Sequence, residues 1–308
     1  ASGVSFIDKE ENKEYKLKGK VVVLAASACS SARILLNSKS KQHPNGLGNS
    51  SDLVGKYLHD STGGDMMAFI PELINRKTYN EDGVGGMHVY SPWWLDNKNL
   101  DFARGYHIEQ WGGLGAPTYG TGFDVNRFNK FFGVNKAGGY GDSLRDDMKK
   151  YYGSTIGLSG RGESIAQKTN YCEIDPNKVD KYGVPVLRFN YQWTDNEIKQ
   201  AKHMQDTFEE IIHNMGGISL WEKPGKDNNY GLTKPGQIIH EVGTTRMGSN
   251  PKDSVVNEYE KLHDTSNVYV VDAGPFVSQA DKNPTWTILA LAMRSSEKIV
   301  EEFKKQNF

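Results

Sequence analysis

Hydrophobic and polar positions change their rhythm twice along the chain. Val4 to Asp8 alternates as a strand, and Asp8 to Lys20 is charged and turn-like. Val21 to Ala26 is a continuous apolar run, the pattern of a strand covered on both faces. It ends in Ser27-Ala28-Cys29-Ser30, and a helical stretch with Ala32, Ile34, Leu35 and Leu36 follows. Strand, small-residue turn and helix bring backbone N–H groups toward a phosphate or a cofactor ring. A tight buried turn explains the same residues equally well.

From about Thr62 to Pro224 the texture is different. Aromatic residues are dense (Trp93, Trp94, Tyr106, Trp111, Tyr119, Phe123, Phe128, Phe131, Phe132), and glycines are frequent. Phe102–Gln110 and Val184–Tyr191 alternate as antiparallel strands do. Thr194 and Glu197 form a capping box, and Ile198, Ala201, Gln205, Phe208, Ile211, Ile212 and Met215 recur at helical spacing until Gly216-Gly217. The pattern predicts a mixed sheet with packed helices as a separate lobe. After Gly236 the α/β rhythm returns. Val268–Val271 is a buried-strand run ending in Asp272-Ala273-Gly274, and Asn283-Pro284-Thr285 opens a long helix to about Phe303. Asn283 is the expected N-cap and Pro284 the first helical residue, with Ile288, Leu291, Ala292, Ser295 and Ile299 on one face.

Composition narrows the function classes. The 308 residues fit one large domain or two smaller ones. A net charge of −1 without long like-charge blocks gives no reason to expect a nucleic-acid or anionic-membrane partner. No apolar run approaches the roughly 20 residues of a membrane-spanning helix. Two cysteines, Cys29 and Cys172, make neither a disulfide framework nor a zinc site, so no metal is expected. The chain opens Ala1-Ser2-Gly3 with no initiator Met and no signal-like segment, which says nothing about location.

The sharpest chemical feature is His240-Glu241-Val242-Gly243-Thr244-Thr245-Arg246-Met247-Gly248, a shaped loop in which the imidazole is either structural or catalytic. Asn283-Pro284-Thr285 opens a helix whose N–H groups favour an anion, or is an ordinary capped start. Asp272 ends a strand and could bind a hydroxyl-rich ligand or cap the next loop. In order and spacing these segments resemble the glucose-methanol-choline (GMC) oxidoreductase family of flavoproteins, most strongly over residues 236–301. His240, Gly243, Thr244, Met247 and Gly248 match its His-x-x-Gly-Thr-x-x-Met-Gly loop. Asp272-Ala273 matches its strand end, and Asn283-Pro284-Thr285 its terminal helix start. Gly19–Ser31, Leu47–Ser51 and Val54–Leu58 resemble its strand-turn and the segment leading into its substrate lobe. The family's opening G-x-G-x-x-G strand-turn-helix, which holds the flavin pyrophosphate, has no counterpart: the glycines at Gly112–Pro117 and Gly120–Gly122 have the wrong spacing.

The resemblance implies an α/β plus α+β fold: part of an FAD-binding Rossmann-like domain (1–61 and 236–308) with an inserted mixed-sheet substrate-binding lobe (62–235). It implies hydride transfer from an alcohol to FAD, with His240 as base and Asn283 orienting the substrate oxygen. An imidazole, with an intrinsic pKa of about 6.5, suits that task. Asp272, Ala273, Asn283, Pro284 and Thr285 are the implied cofactor contacts, with Ala26 and Ser27 as weaker ones. His107 and Gln110, with Glu109, are the expected substrate contacts, for a pyranose or glycoside oxidised at a ring hydroxyl. The rival substrates are choline-like or aliphatic alcohols. A non-catalytic remnant, or a split subunit needing a separate ADP-cradling half, is the rival from another class. Without that half the chain is expected to bind FAD weakly and to be inactive alone. Oxygen, a quinone and a cytochrome all remain open as electron acceptor.

Overall fold

The computed structural model describes residues 1–74, 76, 88–92, 99–113, 129 and 141–308. In chain order its elements are β1 (Gly3–Asp8), β2 (Lys13–Lys18), β3 (Val22–Leu24), α1 (Ala28–Asn37), β4 (Thr62–Phe69), β5 (His88–Pro92), β6 (Tyr106–Gly113), α2 (Asp142–Tyr151), β7 (Thr155–Gly162), β8 (Tyr171–Val179), β9 (Pro185–Asn190), α3 (Asp195–Asn214), β10 (Ile218–Ser219), β11 (Val268–Val270) and α4 (Thr285–Lys304). They divide into two compact units, residues 1–61, 163–192 and 235–308 in the first and 62–162 and 193–234 in the second.

In the first unit β3 and β11 lie parallel, Val23 beside Tyr269, although they are far apart in sequence. Their apolar residues pack with α1 in a core that includes Leu24, Leu35, Val54, Cys172, Val268 and Val270. The expectation that β3 is covered on both faces is not met, because Val23 is exposed. The charged stretch after Asp8 is not simply a turn: β2 pairs antiparallel with β1, and Tyr15 stacks on Phe6. Asp8 turns the hairpin by accepting the N–H groups of Glu10 and Glu11.

Residues 163–192 correct the expected 62–235 lobe. Their hairpin, β8 with β9, belongs with the terminal segments because α1 holds it. Arg33 pairs with Asp180 at 2.8 Å and donates to the carbonyls of Val184 and Pro185. Cys172 is buried in the α1 core, and its N–H donates to Gly55. A hydrogen bond with Cys172, together with burial, pushes the Cys29 thiol up, so it stays neutral and unreactive.

The second unit is a five-stranded sheet in the order β10-β4-β7-β6-β5. Every pairing among its described strands is antiparallel, so it is not the mixed sheet expected. β5, β6 and β7 follow one another as neighbours and reverse at each step, which needs no crossover. One face carries Met66, Ala68, Tyr106, Ile108 and Leu158 against Met204, Phe208 and Ile212 of α3. A Cβ on Gly160 would come within 2.6 Å of the Met204 sulfur, which lets helix and sheet approach closely. The Thr194–Glu197 capping box forms, and Gly216, at φ 63°, follows the helix end.

α4 starts later than the pattern implies. The Pro284 carbonyl accepts the first helical bond, from the Ile288 N–H at 3.0 Å, and no side chain caps the helix. Asn283 is therefore not an N-cap. Ser295 is fully buried, and Ile288 and Leu291 pack on Ala28, Val242, Ala273 and Phe276. Trp286, Leu289, Met293, Val300 and Phe303 form an exposed apolar stripe on the helix, with Trp286 84% exposed. No helix among the described residues is long and apolar enough to cross a membrane.

Ser27, between β3 and α1, sits at φ 81° and ψ 156°, a region that essentially only glycine adopts without strain. Such a residue costs about 1–3 kcal/mol, against roughly 0.5–1 kcal/mol for the added chain freedom of glycine. Ser27→Gly is thus expected to stabilise the fold by about 1 kcal/mol. Denaturant unfolding checks this, and a loss of stability would show that the turn relaxes in solution.

Candidate functional site

The loop that carries His240 is pinned by a segment nearly two hundred residues upstream. His59 and Val242 exchange both main-chain hydrogen bonds, at 3.1 and 2.9 Å. Gly243 follows at φ 93°, and a Cβ there would lie 2.3 Å from the Tyr57 carbonyl and 2.7 Å from the His59 ring. The loop then runs beside the end of β11. The N–H groups of Gly243, Thr245 and Met247 donate to the carbonyls of Ala273, Gly274 and Pro275. Thr244 donates its hydroxyl proton to the Ala28 carbonyl and accepts the Gly55 N–H, tying the loop to α1. The His59 ring is fully buried and its Nδ1 lies 2.7 Å from the Tyr57 carbonyl. Burial pulls its pKa down to about 4, so it stays neutral.

His240 is half-buried, and its Nδ1 lies 3.2 Å from the Ser61 hydroxyl. That hydroxyl accepts Nε2 of Gln279 at 2.8 Å. Gln279 is buried on the loop after β11, four residues before Asn283. With Phe276, Met247, Asn283 and Pro284 it lines a cavity of about 300 Å³. Side-chain contacts therefore lead from the His240 imidazole to the loop that presents Asn283.

Asp60 organises the same region. Its carboxylate accepts the N–H groups of His240 at 3.0 Å, Ser61 at 2.8 Å and Gly236 at 3.1 Å. Burial, helped by the charge of Glu241, pushes its pKa up to about 6 despite these bonds.

Asp272, Ala273, Ala26 and Ser27 come together. The Asp272 carboxylate accepts the Ser31 hydroxyl, the Gly274 N–H and the N–H groups of Ala26 and Ser27. Burial holds its carboxyl above the usual range. Asp272 and Ala273 are buried, whereas Ala26 and Ser27 are exposed. The carboxylate thus shapes the turn, and the turn's backbone is what a ligand can reach. Thr285 is exposed at the uncapped start of α4, next to the buried Pro284.

The structure does not bring His107 and Gln110 together. They lie in the second unit, on β6, where alternate residues point to opposite faces. His107 shares its face with Glu109, at 3.3 Å, and with the Tyr90 ring. Gln110 shares the opposite face with Ser91 and donates to its hydroxyl at 2.7 Å. Tyr106 belongs to the core, its hydroxyl against His203 and Thr207. Trp93, Trp94, Tyr119, Phe123, Phe128, Phe131, Phe132, Gly115, Gly120 and Gly122 lie outside the described residues. No group of three His, Cys, Asp or Glu side chains among the described residues could hold a metal.

Asp60, Ser61 and Gln279 carry no local signal. Only the position of Asp60 and Ser61, just after the segment Val54-Gly55-Lys56-Tyr57-Leu58, draws attention to the first two.

Comparison with known proteins gives the chain's relatives. Residues 167–292 match the GMC oxidoreductase family. The chain is 30% identical over 305 residues to 2-methyl-1,2-propanediol dehydrogenase of Mycolicibacterium austroafricanum, covering 98% of this chain and 52% of that protein. It is 24% identical over 306 residues to the large subunit of fructose dehydrogenase of Gluconobacter japonicus, covering 99% and 51%. A formate oxidase from Aspergillus oryzae shares the fold at a TM-score of 0.63 and 13% identity, over 99% of this chain and 58% of the oxidase. The chain spans about half the length of these relatives, whose family uses FAD. Taken together, these matches show that the chain carries the C-terminal region of a GMC oxidoreductase, with sugar and glycoside dehydrogenases and oxidases among its homologues at about 24–30% identity.

Proposed function

We propose that the chain provides the catalytic pair of an FAD-dependent oxidoreductase acting on CH–OH groups, with His240 as base and Asn283 as the group that orients the hydroxyl. The observation that carries this reading is the connection from the His240 ring through Ser61 to Gln279, on the loop ending at Asn283. A neutral imidazole accepts the hydroxyl proton, and a carboxamide, which does not titrate, donates to or accepts from the same oxygen.

The residues present fit part of an FAD. The exposed Ala26–Ser27 turn and the starts of α1 and α4, neither capped by a side chain, offer backbone N–H groups to anionic parts of the cofactor. Asp272 and Ala273 support that turn from the buried side. FAD, when bound, supplies the acceptor for the hydride lost by the alcohol carbon. The chain's own share is to hold the alcohol, take its proton and fix the backbone around the ring. The remaining half of the relatives' length would supply the pyrophosphate cradle, from the same polypeptide or a second one.

For the substrate, a sugar or glycoside ring hydroxyl is favoured by the fructose dehydrogenase and by the C-glycoside 3-oxidase of Arthrobacter globiformis, 29% identical over 163 residues. On one face of the second unit's sheet Arg161 and the exposed Tyr90 ring stand over the buried His107, Glu109 and Ser159, so a sugar would meet the first two directly. A small aliphatic diol is the second reading, favoured by the match to the propanediol dehydrogenase along nearly the whole chain. Dye reduction with a panel of pyranosides, fructose and short diols separates the two, and activity on diols alone would overturn the sugar reading.

In the complete enzyme, His240→Ala is expected to lower turnover by about 10² to 10⁴-fold, the range for a positioned base, with FAD still bound. Steady-state rates beside the flavin absorbance check this, and near-normal turnover removes the base role. Asn283→Ala is expected to slow anaerobic flavin reduction and to weaken alcohol binding together. An unchanged rapid-reaction trace would exclude its part.

A further inference from the structure

We propose that Asp60 is a positioning residue for the reaction: its carboxylate fixes both ends of the five-residue backbone segment Gly236–His240 and thereby holds the imidazole in place. This rests on the reading of His240 as the base. Oδ2 accepts the N–H of Gly236, at the start of the segment, and Oδ1 accepts the N–H of His240, at its end. Oδ1 also accepts the N–H of Ser61, whose hydroxyl meets the same imidazole at Nδ1. One carboxylate therefore sets the main chain of the base and of the residue touching its ring. Asp60 is in turn fixed: its N–H donates to the Tyr191 hydroxyl, and its carbonyl accepts the Ser164 hydroxyl.

The site is costly to the fold. Asp60 is buried, and its pKa is raised to about 6 by that burial first and by Glu241 second. The titratable groups facing it are Glu241 and His240 on the loop, Tyr191 after β9, and Cys29 of α1, whose thiol is also held up by Asp60. Of these groups only the His240 imidazole can carry a positive charge. Because the folded pKa lies above the unfolded value near 3.8, the native state binds more protons between about pH 4 and 6. Stability from this group is therefore fully present below about pH 4 and is lost as pH rises to 6 and beyond. A carboxylate that weakens the fold at neutral pH while gripping the backbone of a candidate base is what a functional constraint looks like.

The test is Asp60→Asn in the complete enzyme, with His240→Ala alongside. The amide keeps the size but presents an N–H₂ group either toward the Gly236 donor or toward those of His240 and Ser61. The kcat should fall on the order of 10²-fold, the cost of a misplacement of about 1 Å, while KM changes far less. At the same time the variant's melting temperature relative to wild type should rise between pH 4 and pH 7. A carboxylate with a merely structural role would move stability without that split in kcat and KM. Should the variant not fold, the wild-type amide resonance of Gly236 gives the answer: it should titrate with a midpoint near pH 6. If His240→Ala abolishes turnover while Asp60→Asn keeps wild-type kcat, the positioning role is overturned and the base reading stands. If His240→Ala retains turnover, the base reading itself fails. A Gly236 amide that does not respond between pH 5 and 7 also overturns the proposal.

Discussion

One short main-chain pairing carries the site. The segment Tyr57–Ser61 belongs to no sheet, yet its backbone is buried, and buried N–H and C=O groups must find partners. His59 finds both of its partners in the loop, through the reciprocal bonds with Val242, while Leu58 and Asp60 donate to Asn170 and Tyr191. Once that pairing forms, the loop's remaining donors fall beside the carbonyls of Ala273, Gly274 and Pro275, and Thr244 reaches Ala28 and Gly55. Three stretches with no sequence proximity are aligned by a contact two residues wide.

Two buried carboxylates refine that alignment in the same way. Asp272 gathers the amides of the β3–α1 turn, and Asp60 gathers those of the histidine loop. Each is held above the ordinary carboxylate range by burial, and each is surrounded by backbone donors in place of a cation. Backbone amides are fixed by the fold, so they impose direction on an acid that a mobile lysine would not. The two acids define where the loop and the turn stand, and leave the surfaces of both to a ligand.

Helices were the most legible part of the sequence, because a 3.6-residue period and a capping box survive in any context. α3 shows both, down to its terminal glycines. β2 was hidden by its lysines and glutamates: a hairpin solvated on both faces has no core-facing alternation to read. Asn283 misled as a cap because the first helical hydrogen bond is accepted one residue later, by the Pro284 carbonyl, and no side chain caps the helix. His240 and Asp272 could be singled out from motif order. Asp60, Ser61 and Gln279 could not, since the contacts joining them to the loop or to each other span 179 to 218 residues and no local pattern encodes them. The pairing of His107 with Gln110 could have been rejected from sequence alone, because residues three apart on a strand face opposite ways.

At Gly243 the alignment depends on atoms that are missing. The carbonyl of Tyr57 and the ring of His59 occupy the volume where any other residue would begin its side chain. The crossing therefore has no graded tolerance: even one methyl group would separate the two strands of chain, and no neighbour is a flexible side-chain tip able to swing aside. Any reshaping of this region is best directed at the cavity walls, since the crossing accepts no side chain at Gly243 unless the backbone itself shifts.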